Sequence, residues 1–129
     1  MYCFESGNRY EGEFHAGNIE GQGKKIYYDG GVYEGSWFND KKEGLGVEST
    51  PEGERYEGSF KNDRRHGFGK FRFDTGEIYE GEWEKGQRHG KGVIRQKNGE
   101  VIREGFWRNH VFAGRTEEEV EEYLQKKEE

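Results

Sequence analysis

Two histidines and a row of glutamates are the side chains of this sequence that could hold a metal ion. His66 and His89 each precede a glycine and lie 23 residues apart. The glutamates recur at nearly the same spacing, and they are Glu11, Glu34, Glu57, Glu80 and Glu104. If each period is one β-hairpin, equivalent residues lie about 10 Å apart. Zinc and calcium need ligands that converge on one ion. We therefore expect no metal site, and interpret the histidines as turn residues and the glutamates as a solvated outer face.

Cys3 is the only cysteine, and no neighbouring residue would activate it as a nucleophile. The sequence also has no grouping typical of a catalytic triad and no spaced glycines typical of a phosphate-binding loop. We therefore predict a protein that is not an enzyme and has no cofactor. A single cysteine cannot form an internal disulfide and suits a reducing compartment such as the cytoplasm.

Basic residues recur near the predicted turns of successive hairpins. They are Lys41, Lys42, Arg64, Arg65 and Arg88. One interpretation is contact with anionic phospholipid, since each charge near such a surface is worth about 1 kcal/mol. The other is solubility of the turns, because Asp40, Glu43 and Asp63 interrupt the row. The formal net charge of −6 removes the usual electrostatic source of nucleic-acid binding, so we predict no nucleic-acid partner.

The composition argues for an ordered chain with an unusual core. Leu, Ile, Val and Phe contribute 2, 5, 6 and 9 residues, or 22 of 129, while charged residues make up 37%. Such values are typical of disorder, but aromatic residues make up 16% and glycines number 22. Residues 116–129 hold seven Glu and two Lys, so −5 of the net −6 lies in the tail. No apolar run approaches the roughly 20 residues of a membrane span.

A motif of tyrosine, glycine and a second aromatic residue repeats with a period of 23 residues. Its copies begin at Tyr10, Tyr33, Tyr56 and Tyr79, and a decayed fifth copy begins at Arg103. Glycine pairs keep the same phase at Gly21/Gly23, Gly44/Gly46, Gly67/Gly69 and Gly90/Gly92, and single glycines close the units at Gly7, Gly30, Gly53, Gly76 and Gly99. Alternating motif residues share one face of a strand, and Asp-Gly or Asn-Gly pairs favour short reverse turns. Each unit is therefore predicted to be a β-hairpin.

A register follows if each hairpin folds about the centre of its turn. In the third unit Tyr56 pairs with Phe71, Gly58 with Gly69, and Phe60 with Gly67. Each aromatic ring would then have a glycine nearby, where no Cβ obstructs it. On the other face, the glutamates pair with lysines, as in Glu57 with Lys70 and Glu11 with Lys24.

The motif resembles the MORN repeat (membrane occupation and recognition nexus). Residues 56–76 and 79–99 carry the pattern almost completely, and the resemblance covers roughly residues 2–114. It implies an all-β fold, a single-layer curved antiparallel sheet of successive β-hairpins, here with a short C-terminal α-helix. Residues 1–9 would form a partial repeat, 10–114 four full repeats and a decayed fifth, and 115–129 the helix. The second repeat departs from the pattern, since Glu48 and Thr50 occupy the positions of Phe71 and Phe73.

Both ends of the predicted array admit two interpretations. Tyr2 and Phe4 align with the second strand of a unit, which leaves an open sheet edge. That edge is either a short frayed strand or a contact for a partner, including edge-to-edge association with a second copy. At the other end, Thr116 and Glu119 fit a capping box. The apolar stripe of that helix, Val120, Tyr123 and Leu124, either covers the last hairpin or docks on another protein.

The predicted binding face consists of the aromatic side chains that share one side of the sheet. They are Tyr33, Trp37, Tyr56, Phe60, Phe71, Phe73, Tyr79, Trp83 and Trp107. A one-layer sheet has no second layer to cover them, and aromatic residues anchor protein interfaces. We therefore predict a non-catalytic scaffold or adaptor that holds a helix or extended segment of a protein partner in a multi-subunit assembly. Lipid binding through the basic residues is the alternative.

The family resemblance adds expectations about setting. It implies cytoskeletal or membrane-junction sites and ciliary axonemes, including radial spokes. Because MORN arrays also accompany lipid-kinase and methyltransferase domains, a regulatory module separated from an enzyme is a further interpretation.

Overall fold

A computed structural model of the protein describes residues 2–4 and 6–128, with side chains up to residue 126. Residues 1, 5 and 129, which fall in the predicted partial repeat and helix, lie outside the described residues. The elements in chain order are β1 (Tyr2–Cys3), β2 (Arg9–His15), β3 (Asn18–Ile26), β4 (Val32–Phe38), β5 (Lys41–Ser49), β6 (Arg55–Lys61), β7 (Arg64–Arg72), β8 (Ile78–Glu84), β9 (Gln87–Arg95), β10 (Val101–Arg108), β11 (Val111–Gly114) and α1 (Glu117–Glu128).

The strands form one antiparallel sheet in which each strand pairs with its neighbours in sequence. The order runs from β1 to β11 without a crossover. The sheet is a single open layer, and its one helix, α1, follows the last strand. The fold class predicted from the sequence is therefore confirmed.

Two kinds of turn alternate along the chain. Within a unit the strands are joined by two residues that both have positive φ, such as Asn62 (49°) and Asp63 (70°), as in the type I′ turns that match strand twist. Between units, the strands are joined by a β-turn whose last residue is a glycine with φ near +95°. In the turn between β3 and β4, Gly30 N–H donates to the Tyr27 carbonyl at 3.0 Å. The two-residue turn within each unit is shorter than the turn predicted from the sequence. His66 and His89 were predicted to be turn residues, but they lie in β7 and β9.

The register of the third unit agrees with the prediction except at one pair. Tyr56 pairs with Phe71, Gly58 with Gly69, and Glu57 with Lys70, and Glu11 pairs with Lys24 in the first unit. The predicted pairing of Phe60 with Gly67 is wrong, because Phe60 pairs with Arg65. The two steps along β6 from Gly58 to Phe60 correspond to four steps along β7 from Gly69 back to Arg65. β7 therefore carries two extra residues, which form a bulge. Gly67 lies in this bulge with φ of +82°, a conformation that favours glycine.

The aromatic residue does meet a glycine, but across the boundary between units. Trp37 pairs with Gly21, Phe60 with Gly44, and Trp83 with Gly67. Each of these rings therefore does have a glycine neighbour, as predicted. The glycine lies on the last strand of the preceding unit and not on the second strand of the same hairpin. The bulge within the hairpin moves the glycine out of register with its own aromatic residue.

A continuous row of glycines crosses the sheet from β2 to β10. Its members pair in sequence and are Gly12, Gly23, Gly35, Gly46, Gly58, Gly69, Gly81, Gly92 and Gly105. Tyrosine rings lie over this row, so that a Cβ built at Gly69 would overlap the ring of Tyr56. The Tyr56 hydroxyl donates to the Ser59 carbonyl at 2.8 Å, and the other three units repeat this bond.

The rings contact one another edge to face across the whole array. Tyr33 lies 4.9 Å from Trp37 on its own strand and 5.1 Å from Phe60 in the next unit, measured between ring centroids. The same alternation continues through the later units to Trp107. Edge-to-face pairs contribute about 0.5–1.5 kcal/mol beyond their buried area. This chain of rings is the hydrophobic core of the protein.

Turns of successive units are also joined to each other. Asp40 and Asp63 each donate their main-chain N–H to the carbonyl of the residue 21 positions earlier, Ile19 and Lys42. Their carboxylates accept the N–H of those same residues at 2.7 and 2.8 Å. His110 repeats both bonds with Arg88, using its ring Nδ1 as the acceptor. These bonds fix the position of each turn relative to the next unit.

Helix α1 begins at the predicted capping motif and packs on β11. Thr116 Oγ1 accepts the Glu119 N–H at 3.2 Å, and the Glu119 carboxylate accepts the Arg115 N–H at 2.6 Å. A Cβ built at Gly114 would lie 2.6 Å from the Glu119 Cβ, so only glycine permits this close approach. Val120, Tyr123 and Leu124 are half-buried. The helix therefore covers the last hairpin of its own chain, as one of the two interpretations expected.

We expect Gly69→Ala to destabilise the protein by about 2 kcal/mol, because a methyl group at this position overlaps the Tyr56 ring and overpacking costs about 1–3 kcal/mol. Urea unfolding monitored by circular dichroism measures the change. In a Tyr56→Leu background the same substitution should cost less, since the ring is gone. Gly53→Ala is the control for backbone strain alone, since nothing lies within 4 Å of a Cβ built there while its φ is +96°, and its penalty should be the same in both backgrounds. An equal penalty in both backgrounds would show that the ring does not require the glycine.

Candidate functional site

The predicted aromatic face exists, but its rings are mostly covered. Eight of the nine predicted residues are at most 8% exposed. They are Tyr33, Trp37, Tyr56, Phe60, Phe71, Tyr79, Trp83 and Trp107. Phe73 is partly exposed. The rings therefore form a floor, and a partner approaching this side of the sheet meets the side chains that lie above them.

Three cations lie over this aromatic floor, and we call them the cation row: Lys42, Arg65 and Arg88. They were expected at turn tips, but they lie in β5, β7 and β9, one in each of three successive units. Lys42 Nζ is 5.2 Å from the Tyr33 ring centroid, and the Arg65 guanidinium carbon is 4.9 Å from that of Phe71. Cations in this position are attracted by the ring faces, and their alkyl stems exclude water from the rings.

Glu48 pairs with two members of the cation row. Its carboxylate lies 2.8 Å from Lys42 Nζ and 3.0 Å from Arg65 Nη2. Burial alone would raise the pKa of Glu48, but the charges and hydrogen bonds of Lys42 and Arg65 outweigh it and hold the pKa below the ordinary value of 4.5. For Lys42, burial opposes the charged form, yet Glu48 raises its pKa above 10.5. The departure of the second repeat from the motif thus introduces an ionic cluster into the aromatic face.

Arg88 is the member of the cation row without a carboxylate partner among the described residues. Its Nη2 donates to the His110 carbonyl at 2.9 Å, while its Nε is buried without a hydrogen-bond partner. The guanidinium carbon lies 5.9 Å from the Phe73 ring centroid and 5.7 Å from that of Tyr79. Burial lowers the pKa of Arg88 below its ordinary value. An unpaired guanidinium thus lies beside the partly exposed ring of Phe73.

A margin of partly exposed aromatic residues borders the floor. Phe4, Tyr27 and Phe73 occupy one phase of the 23-residue period, with Thr50 between the last two. Lys25 Nζ lies 5.0 Å from the Phe4 centroid and 5.3 Å from the Tyr27 centroid. Tyr27 and Lys25 were not among the predicted site residues, although the spacing of 46 residues, two periods, between Tyr27 and Phe73 identifies the tyrosine. Together with Tyr2 and Phe14, which are 51% and 49% exposed at the β1–β2 end, these rings supply accessible apolar surface on this face.

The remaining predicted lipid contacts line a basic cleft on the opposite side of the sheet. Lys41 and Arg64 border a cleft of about 490 Å³ together with Lys61, Asn62, His66 and Lys85. None of the ion pairs among the described residues involves these lysines or Arg64. The nearby acidic residues Glu43 and Asp63 each accept a main-chain N–H, from Asn62 and Lys42. The five predicted contacts therefore divide between two faces.

The face opposite to the rings also carries exposed apolar side chains. Leu45 is 70% exposed and Phe68 64% exposed, and both lie between the two glycines of a Gly-x-Gly pair. Neither residue was predicted from the sequence to be a surface feature. They provide matched positions for testing which face of the sheet binds a partner.

Residues that could hold a metal do not converge. Among residues 2–4 and 6–128, no group of three or more His, Cys, Asp and Glu side chains is arranged to hold an ion. His89 Nε2 lies 3.5 Å from the Glu84 carboxylate, and Cys3 is exposed. In the part of the chain that the structure covers, no helix is long and apolar enough to span a membrane.

Comparison with known proteins identifies the repeat. The family model described as MORN repeat matches four consecutive segments, residues 10–32, 33–55, 56–78 and 79–101. These segments cover β2 to the start of β10. None of the curated proteins is significantly similar to the chain in sequence.

We expect Glu48→Gln to lower the free energy of unfolding at pH 7 by about 1–2 kcal/mol. Loss of one partner costs roughly 3–5 kcal/mol in a fully buried pair, but here Lys42, Glu48 and Arg65 keep 12–23% exposure. Because folding lowers the pKa of Glu48, its ionised form stabilises the protein fully above pH 4.5, and this contribution disappears as the pH falls through the folded pKa.

Urea unfolding of both proteins at neutral and acidic pH measures the effect. The difference between wild type and variant should shrink as Glu48 becomes protonated. Glu57→Gln is the control, since this exposed carboxylate lies 3.7 Å from Arg55 and such pairs contribute little. A difference that is independent of pH would mean that the charge of Glu48 is not its source.

Proposed function

Since the chain belongs to the MORN-repeat family, we propose that it is a non-catalytic scaffold or adaptor that binds a protein partner through the aromatic face. MORN repeats indicate adaptors that bind proteins or membranes, and the proposal selects the first of these. The observation that carries it is the partly exposed margin of Phe4, Tyr27 and Phe73 above a floor of buried rings. Aromatic side chains with one accessible face are typical anchors of protein interfaces.

The position of α1 supports this choice of face. The helix makes its extensive contact with β11, and within the described ranges no helix or strand lies over the aromatic floor between β3 and β9. Phe4, Tyr27 and Phe73 recur with the period of the units, so a partner segment that crosses the strands would meet them in turn. Such a segment would be a helix or an extended peptide, as in groove-binding complexes.

The proposed setting is the cytoplasm, within a multi-subunit cytoskeletal or ciliary assembly such as an axoneme. The cytoskeletal or ciliary assembly rests on the family resemblance, and the cytoplasmic setting on the single cysteine, which suits a reducing compartment. Imaging of the tagged protein in ciliated cells tests it, and a uniform distribution with no enrichment at cytoskeletal structures would count against it.

We expect Phe73→Ser to abolish partner retention, because the substitution removes an accessible ring. Since Phe73 packs on Phe71 with the ring centroids 4.8 Å apart, a somewhat lower melting temperature is expected as well. The measurement is quantitative affinity purification from cells that express the protein, with wild type and variant as baits. Phe68→Ser is the matched control, since Phe68 is a 64% exposed ring on the opposite face. Proteins retained by wild type and by Phe68→Ser but lost with Phe73→Ser would support the proposal.

Melting temperatures of the three baits establish that loss of binding is not loss of fold. Retention that depends on Phe68 instead of Phe73 would place the binding surface on the other side of the sheet. Retention that depends on neither ring would contradict the aromatic face as the site.

A second candidate function is favoured by the basic cleft. Its four cations without ion pairs, Lys41, Lys61, Arg64 and Lys85, suit the phosphate of an anionic lipid headgroup, to which lysine and arginine donate hydrogen bonds. The cleft and the aromatic face lie on opposite sides of the sheet, so the two functions would not compete for the same surface.

We expect the double variant Lys41→Glu/Arg64→Glu to lose binding to vesicles that contain phosphatidylserine, if the second candidate is correct. Co-sedimentation with these vesicles and with neutral phosphatidylcholine vesicles measures it. Lys24→Glu/Arg72→Glu is the control, since it makes the same charge change elsewhere on that face. Equal binding by all three proteins, or none by wild type, would exclude the cleft as a lipid site.

A further inference from the structure

The three cations of the cation row occupy equivalent positions but differ in their partners. Lys42 and Arg65 share the carboxylate of Glu48, at 2.8 and 3.0 Å. Arg88 occupies the next unit and, in the described part of the chain, lies within 4.0 Å of no carboxylate. The same backbone position therefore holds a paired cation in two units and an unpaired one in the third.

The sequence explains why Arg88 has no internal partner. Glu48 lies 17 residues before Arg65 on the preceding hairpin, and the residue at that distance before Arg88 is Phe71. Phe71 is buried in the aromatic floor, so an apolar ring occupies the position from which a carboxylate would reach Arg88. A carboxylate that pairs with Arg88 would therefore have to come from another molecule.

We propose that the aromatic face binds an acidic segment of a different protein, in which an Asp or Glu carboxylate pairs with Arg88 and a neighbouring apolar side chain packs on Phe73. This inference rests on the proposed function and specifies the chemistry of the partner. The partner's carboxylate would pair with Arg88 in the way that Glu48 pairs with Arg65.

The geometry of Arg88 suits this occupant. One amino group of the guanidinium is held by the His110 carbonyl at 2.9 Å and the Nε is buried, so the other amino group is the donor left for a partner's carboxylate. The guanidinium carbon also lies 5.9 Å from the Phe73 ring centroid and 5.7 Å from that of Tyr79. A guanidinium held in this way can donate to a carboxylate, and such charge-assisted bonds are about twice as strong as neutral ones.

The charge of the face has the matching sign. Lys25, Lys42, Arg65 and Arg88 lie over or beside the aromatic rings, and Glu48 is the carboxylate paired with this group. Among these five groups the positive charges outnumber the negative ones by three. This excess would attract an acidic segment and repel a basic one.

The test is selection of a random displayed-peptide library on the intact protein, followed by fluorescence anisotropy with the enriched peptides. We expect enriched sequences to share an acidic residue beside an apolar one. Replacing that acidic residue by its amide should weaken binding about tenfold or more, as should Arg88→Gln, because each removes one side of a hydrogen-bonded ion pair. Arg88→Lys keeps the charge without the fork and should lose less.

Arg72→Gln is the matched control, since Arg72 is an exposed arginine on the opposite face of β7, and it should leave peptide affinity unchanged. Melting temperatures of all variants exclude unfolding as the cause. Enrichment of neutral or basic peptides that depend on Phe73 would overturn the acidic occupant and leave the proposed function standing. Peptides that depend on neither Phe73 nor Arg88 would overturn both, and failure to enrich any peptide would overturn the acidic occupant. Self-association that Arg88→Gln abolishes, measured by sedimentation, would identify a second copy as the occupant and also overturn it.

Discussion

A tyrosine ring lying flat on a pair of glycines is the interaction on which the rest of this fold depends. A single-layer sheet has no second layer against which to bury apolar surface. Here the rings use the space that missing Cβ atoms leave on the sheet itself. Each tyrosine hydroxyl then reaches a main-chain carbonyl three residues on, and tryptophan Nε1 atoms donate to glycine carbonyls, as Trp37 does to Gly23 at 3.0 Å and Trp83 to Gly69 at 3.2 Å. Polar ring atoms can therefore be buried without an unsatisfied hydrogen bond.

This arrangement determines what the surface of that face can offer. Because the rings are used in stabilising each unit and its junction with the next, they are not available as free anchors. The side chains that remain accessible are the cations above them and the rings at the margin, such as Tyr27 and Phe73. Recognition would therefore combine charge with small apolar patches, which favours a partner chosen by its pattern of charges.

The 23-residue period was sufficient to predict the strands and the pairing of glycine with glycine. The single layer was implied by the family resemblance, and the terminal helix by the capping motif of Thr116 and Glu119. The period failed at Phe60, because the two extra positions around Gly67 form a bulge whose φ of +82° cannot be recognised from residue type alone. It also placed Lys42, Arg65 and Arg88 in turns, since two-residue turns of positive φ need no glycine when Asn and Asp occupy them. The burial of the rings escaped prediction because it arises from contacts between units, such as Tyr33 with Phe60, and not from any one repeat.

The units are alike in what stabilises them and differ in what covers the rings. Tyrosine, glycine and the second aromatic residue cannot vary much, because each fills space that its neighbour leaves. Position 48 and its equivalent one unit later, position 71, have no such constraint: the first carries a glutamate, and the second a phenylalanine that joins the buried floor. The glutamate forms an ionic cluster with Lys42 and Arg65. The phenylalanine provides no carboxylate, so Arg88 has no ion-pair partner among the described residues and lies beside the accessible ring of Phe73. Specificity in such an array therefore resides where a unit departs from the repeated pattern, since a surface made only of the shared residues would be the same in every unit.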